Sequence, residues 1–323
     1  MKQDLATKSL EAFPDVFADI GNVNLYDGEQ VIVPEELEQL PSEMICQEPK
    51  GEQRELRADI RMRIKHSGTE IAIMSVENQA GICNTMPVRT MGYEYAGYME
   101  QIRRIKEENR KKGENYYTKE IGDNQKLVPV ISLVLYYGDE EWDSPLSLMD
   151  MFELSQEDKR RFETHIQNHS IQLVQLRKQD EEIQNKYHSD FRYVVQYLSC
   201  RSDKKKMLQK MKEDSGKLEH PKEFLDVMCA ITKDLRYQKI REVLSKNIEK
   251  GEKINMCTIA EELENQGIQK GVRQGLERGM EQGILKINQL NAVLLADGRI
   301  EDLFRSTKDV ELQKALMKEY GIM

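Results

Sequence analysis

The chain has 323 residues, 39% hydrophobic and 33% charged, which is enough for about two domains and fits long, exposed helices. Its net charge of −9 excludes wholesale coating of nucleic acid, which needs dense positive charge, while leaving room for a local basic groove. Five scattered cysteines without a C-x-x-C pair predict reduced thiols rather than disulfides or a zinc site. The first residues, MKQDLATKSLEAFPDVF, have no apolar secretory core. The longest apolar run, LVPVISLVLYY, is about half of a membrane helix. A cytoplasmic location with no membrane contact is therefore expected.

Along the chain, residues 5–26 read as a helix leading into a short extended piece, with Phe13, Val16, Phe17 and Ile20 at helical spacing and Asp27-Gly28 as the closing turn. QVIVP reads as a short strand ended by Pro34, and PEELEQL as a polar helical turn. From 53 to 64 the residues alternate. Leu56, Ala58, Ile60, Met62 and Ile64 fall on one side, and Arg57, Asp59, Arg61 and Arg63 on a wet or functional side. His66-Ser67-Gly68 turns the chain into a second, more buried strand, TEIAIMSVENQ. The segment after Pro87 is a long amphipathic helix, increasingly basic towards RRIKEENRKK. Residues 126–142, KLVPVISLVLYYGDEEW, give another central strand. Strand, strand, long helix, strand describes an α/β sandwich over residues 1–145. Residues 146–254 carry helical patterns, including a basic stretch at 201–212.

The tail, 255–323, repeats glycine at 267, 271, 275, 279 and 283, each followed by Ile, Val, Leu or Met. Each interior glycine costs a helix about 1 kcal/mol against alanine. The segment is expected either as a helix ordered by self-association, giving a homo-oligomer, or as a flexible linker.

Around the turn, Asp59 and Glu77 lie nine residues on either side of Gly68, so their strand ends meet. Period two puts Glu77 and Gln79 on one face and Asn78 on the other. Two neighbouring carboxylates stay ionised only with a cation between them, and Mg²⁺ is the usual occupant. Arg89 and Tyr93, on the following helix, are candidate substrate contacts, with Arg89 suited to a phosphate. His165 and His169, four apart, lack the glutamate of a zinc-binding helix. Trp142 reads as a packing anchor.

Asp59 followed by Glu77-x-Gln79 resembles the PD-(D/E)xK nuclease signature, with glutamine in place of lysine. VENQAGICNTMPVRTMGYEYAGY, LVPVISLVLYYGDEEWDSPLSLMDM and DVFADIGNVNLYDG are similar to blocks of the recombination-promoting nuclease and putative transposase family. The glycine-every-four tail resembles the ends of its members by type. The resemblance covers about residues 10–155. It implies a restriction-endonuclease-like α/β fold, a mixed sheet flanked by helices, followed by a helical region and a helical tail. It implies a Mg²⁺-dependent DNA endonuclease, with Mn²⁺ as substitute, associated with recombination or mobile elements. Asp59 and Glu77 match the metal-binding acids and Gln79 the catalytic lysine position. The amide can orient but not neutralise charge, so a weak or inactive nuclease-fold module acting by binding is the alternative. Asp15 and Asp19, on one face of the first helix, match an auxiliary acid.

Overall fold

The computed structural model describes residues 3–47, 53–113, 121–200, 204–250, 252 and 254–322. It divides into two units, Met1–Ile259 and Ala260–Met323. The first opens with two helices, α1 (Gln3–Glu11) and α2 (Pro14–Leu25), where the sequence suggested one. Pro14 is the cause. It occupies the first turn of α2 and holds Phe13 extended, at φ −70° and ψ 133°, which no helix continues through.

Residues 30–34, expected as a strand, pair with none. Their backbone is satisfied by one buried side chain instead: Asn22 Oδ1 accepts the Val31 and Ile32 N–H groups at 3.1 and 2.7 Å, and its Nδ2 donates to the Ile32 carbonyl at 2.9 Å. Gly21 allows this close approach, since a Cβ there would stand 2.5 Å from Ile32 Cδ1. The polar turn expected next is confined to a 3₁₀ turn at Pro34–Glu36, and Leu37–Leu40 forms an edge strand, β1.

The alternating segment 53–64 is not one strand. β2 (Glu43–Gln47) and β3 (Gln53–Arg57) pair as a separate two-stranded sheet. The chain then bends at Ala58-Asp59 and enters the main sheet as β4 (Ile60–His66). There it pairs antiparallel with β1 and with β5 (Thr69–Gln79). The face read as wet is partly covered: Arg61 is 2% exposed, bonded to the Pro41 carbonyl and to Glu100, each at 2.9 Å.

From β5 the chain crosses through α3 (Met86–Lys111) to β6 (Val130–Tyr136), parallel to β5, as a parallel pair requires. Another parallel strand, β7 (Gln172–Gln175), adds to β6 and completes the mixed order β1–β4–β5–β6–β7. It arises inside 146–254, where only helices were expected, because a four-residue strand leaves no period to read. The sheet thus does not close at residue 145. Helices α4 (Gln156–Phe162), α5 (Glu181–Gln184), α6 (Phe191–Ser199), α7 (Lys204–Glu213), α8 (Pro221–Thr232) and α9 (Arg236–Glu249) fill the rest of this unit. Residues 201–203 of the second basic stretch lie outside the described residues.

Phe17, Ile20, Met62, Met74, Val76, Leu133 and Leu135 are essentially inaccessible in the core around the sheet. Each such side chain contributes roughly 1.5–3 kcal/mol by leaving water. Trp142 packs edge-on to Tyr136 with ring centroids 5.1 Å apart, the anchor its isolation suggested. Cys83, Cys200, Cys229 and Cys257 are free thiols.

The glycine repeat lies in α10 (Met256–Ala296), and α11 (Ile300–Ser306) and α12 (Val310–Glu319) follow it. Leu290, Leu294 and Leu316 form the buried centre of the second unit. Ahead of that cluster, Ile268, Val272, Leu276, Met280 and Ile284 are 59–67% exposed. Among the described residues no helix is long and apolar enough to cross a membrane.

Candidate active site

The β4–β5 hairpin sets the site through two local features. Ser67 and Gly68 both have positive φ, 49° and 78°, the signature of a two-residue turn that matches strand twist. A bulge between Ile64 and Lys65 then slips the pairing by one residue, and the register runs from Ile64↔Ala72 to Ile60↔Val76. The pairing ends there, and Asp59, the residue just before it, lies in the bend beside the Glu77–Asn78 end of β5. The sequence placed them so by counting from Gly68 through a three-residue turn; the real turn is shorter, and the bulge restores the register.

Asp59 sits in the bend between the two sheets, and its Oδ2 accepts the Asn78 backbone N–H at 2.8 Å. Glu77 is 4% exposed. Its Oε1 accepts from Gln79 Nε2 at 3.1 Å and from Arg89 Nη2. The same guanidinium donates to Tyr93 Oη at 3.0 Å and to Cys83 Sγ at 3.7 Å. Asp59, Glu77, Gln79, Arg89 and Tyr93 are therefore brought together by direct bonds, Asp59 through the Asn78 N–H.

Three further side chains, Lys8, Glu11 and Tyr137, enter from segments the sequence reading had not connected to the site. Lys8 Nζ stands 2.7 Å from Asp59 Oδ1. Glu11 is fully buried and accepts from Asn78 Nδ2 and from Tyr137 Oη. One signal for Glu11 was present. It shares the buried stripe of α1 with Ala6, Thr7 and Leu10, where an acid is out of place unless it has partners.

The electrostatics follow from burial. Glu77 has its pKa pushed up to about 7, first by desolvation and then by the Asp59 charge, against the opposing charges of Arg89 and Lys8. Glu11 is also raised to about 7 by burial, with the bonds from Asn78 and Tyr137 opposing and the Asp59 charge adding. Arg89 is partly desolvated, yet its bond to Tyr93 and the charge of Glu77 hold its pKa above the usual value.

Asp15 and Asp19 belong elsewhere. Asp15 pairs with His220 Nε2 at 2.9 Å, on a ring stacked against Phe13 at 3.7 Å. Asp19 accepts the backbone N–H groups of His188 and Ser189. Breaking the expected single helix at Pro14 separates both from α1, and the helix acid beside the hairpin is Glu11. His169 bonds Thr90 Oγ1 through Nε2 at 2.9 Å, a packing role rather than half of a zinc site.

Among the described residues, no group of three or more His, Cys, Asp and Glu side chains is arranged to hold a metal ion. The donor set is the Asp59–Glu77 pair, and one observation fits it to a cation: Glu77 Oε2 is buried with no hydrogen-bond partner. A carboxylate oxygen left bare in the interior is costly unless something positive meets it. An open cleft of about 420 Å³, lined by Gln39, Pro41, Ser42, Asp59 and Arg61, gives access to Asp59 from solvent.

Residues 53–224, just over half of the chain, match the family described as "Putative transposase, YhgA-like". The match begins at β3 and ends within α8, so it takes in Asp59, Glu77, Gln79, β7 and the intervening helices, and excludes α1. No curated protein and no solved structure matches the chain.

Proposed function

The chain belongs to the YhgA-like putative transposase family, and on that premise we propose that it is a metal-dependent endonuclease hydrolysing DNA phosphodiesters in recombination or mobile-element movement. The observation that carries the reading is the buried, unpartnered Glu77 Oε2 close to Asp59, whose carboxylate bonds the N–H of the residue after Glu77. Asp59 and Glu77 would hold Mg²⁺ or Mn²⁺. A bound ion of this kind supplies Lewis acidity and a water acidic enough to attack phosphorus.

The chain's own groups do the rest. Gln79 fixes the Glu77 carboxylate by its amide N–H. Arg89, about a third exposed, is placed to meet a phosphate, with Tyr93 bracing the guanidinium. Incubated with supercoiled and linear DNA, the purified chain is expected to nick or cut in Mn²⁺ or Mg²⁺ and not in chelator. Intact DNA under every metal condition would end the proposal.

A second reading, a nuclease-fold module that binds DNA without cutting it, is favoured by one feature: Arg89 and Gln79 already occupy Glu77 Oε1. Calorimetric titration separates the two, since heat on adding Mn²⁺ that vanishes in Glu77→Ala supports the enzyme.

The second unit supports self-association of the chain. Cβ atoms added at Gly271, Gly275, Gly279 or Gly283 would meet nothing within 4 Å. Four glycines thus weaken the helix by about 1 kcal/mol each without relieving any contact in the single chain. A second helix laid along the glycines and the exposed Ile268–Ile284 row would use both features. Gly275→Ala with Gly279→Ala is expected to raise helix content yet lower the mass measured by light scattering. An unchanged mass would remove the assembly.

A further inference from the structure

We propose that Lys8 is the phosphate-facing cation of this site: its ammonium holds Asp59 while that carboxylate is free of metal, and turns to the scissile phosphate once the carboxylate is ligated. The proposal rests on the nuclease reading and adds to it a residue outside the family match.

The chemical need comes first. A phosphodiester approaching Asp59 and Glu77 brings negative charge towards two acids, and Gln79 offers an amide, which carries none. A mobile cation is required beside them. Among the described residues, Lys8 and Arg89 are the cations bonded directly to these acids, and they are held differently. Arg89 is fixed by three partners, Glu77, Tyr93 and Cys83. Lys8 has two, Asp59 at 2.7 Å on the inner side and Asp4 at 2.9 Å on the outer side, and Asp4 is 60% exposed. A flexible four-carbon stem between an inner and an outer carboxylate can swing without disturbing its helix.

That helix is meanwhile pinned. Glu11, one turn after Lys8, is buried and bonded to Asn78 on β5 and to Tyr137 just past β6. Its bonds fix α1 against the strand ends while the Lys8 ammonium remains free to move. The reach of the ammonium is also evident electrostatically, since its charge opposes the upward pKa shifts of both Glu77 and Glu11. A divalent ion held by Asp59 would repel the Lys8 ammonium and weaken its bond to Oδ1, leaving the ammonium able to turn towards the cleft beside Asp59.

This geometry makes an unusual prediction, that removing a site residue tightens metal binding. Mn²⁺ is titrated calorimetrically into the full chain without DNA, for wild type, Lys8→Met and Lys8→Arg. Lys8→Met is expected to bind Mn²⁺ about three- to fivefold more tightly, the range for loss of one competing, partly exposed ion pair. The same variant at saturating Mn²⁺ is expected to cut DNA about a hundredfold more slowly, and Lys8→Arg to recover most of that rate. A purely structural Lys8 would give weaker, not tighter, Mn²⁺ binding. Wild-type heat that Lys8→Met leaves unchanged or diminishes overturns this proposal alone. Absence of Mn²⁺ heat from the wild type overturns it together with the nuclease reading.

Discussion

Glu77→Gln and Asp59→Asn are each expected to reduce metal-supported DNA cleavage by at least about a hundredfold, with the fold retained. The size follows from losing an anionic ligand where charge is concentrated in a partly dry site, an effect of 10²–10³ in comparable electrostatic losses. Retention of the fold follows from the local bonding. The amide of Glu77→Gln keeps a carbonyl for Gln79 and Arg89, and the guanidinium is exposed enough to be solvated when its counter-charge is gone. Asp59→Asn keeps an oxygen for the Asn78 N–H. Melting temperatures within a few degrees of wild type, with cleavage lost, is the expected pair of measurements. Full-rate cutting by both variants would show that the chemistry lies elsewhere in the molecule.

In chelator, the chain is expected to be more stable near pH 5 than near pH 8, with the difference carried by Glu11 and Glu77. The Glu11 carboxyl is raised from 4.5 to about 7 in the folded state by burial. Between those values the folded chain keeps a proton that the unfolded chain has released. Stability is therefore greatest at the acid side, falls as pH rises through this window, and levels off above about 7. A shift of this size corresponds to at most about 3 kcal/mol, or several degrees in melting temperature for a domain this large. Glu77, raised for the same leading reason, adds in the same direction until a cation neutralises it. Glu11→Gln should flatten part of the slope. A wild-type melting temperature that climbs between pH 5 and 8 would contradict the burial argument.

The parts of this fold that were legible in sequence are those with a long or strongly alternating pattern. The β4–β5 hairpin, the helix from Met86 and the run ending in Tyr136 announced themselves by period, and together they define the sheet's centre. What was illegible is short or depends on distant partners. Leu37–Leu40 is a strand only because β4 offers an edge, and Gln172–Gln175 only because β6 does. Residues 30–34 look like a strand, but Asn22 supplies the partners a sheet would have given.

The site divides in the same way. Glu77 and Gln79 share a face by strand alternation, and Asp59 joins them at the end of the hairpin, so counting along the chain sufficed. Lys8 and Glu11 come from a helix some fifty residues earlier, whose position beside β5 no local pattern encodes. Asp15 and Asp19 were drawn in by assuming a helix that Pro14 interrupts.

The bulge between Ile64 and Lys65 makes the hairpin a counting device with parity. Deleting a single residue from the turn, or straightening the bulge, would rotate every later side chain of one strand to the opposite surface. Asn78 or Val76 would then stand where Glu77 is needed. Length variation between Asp59 and Glu77 is thus tolerated only in steps of two, or with a compensating irregularity on the same arm.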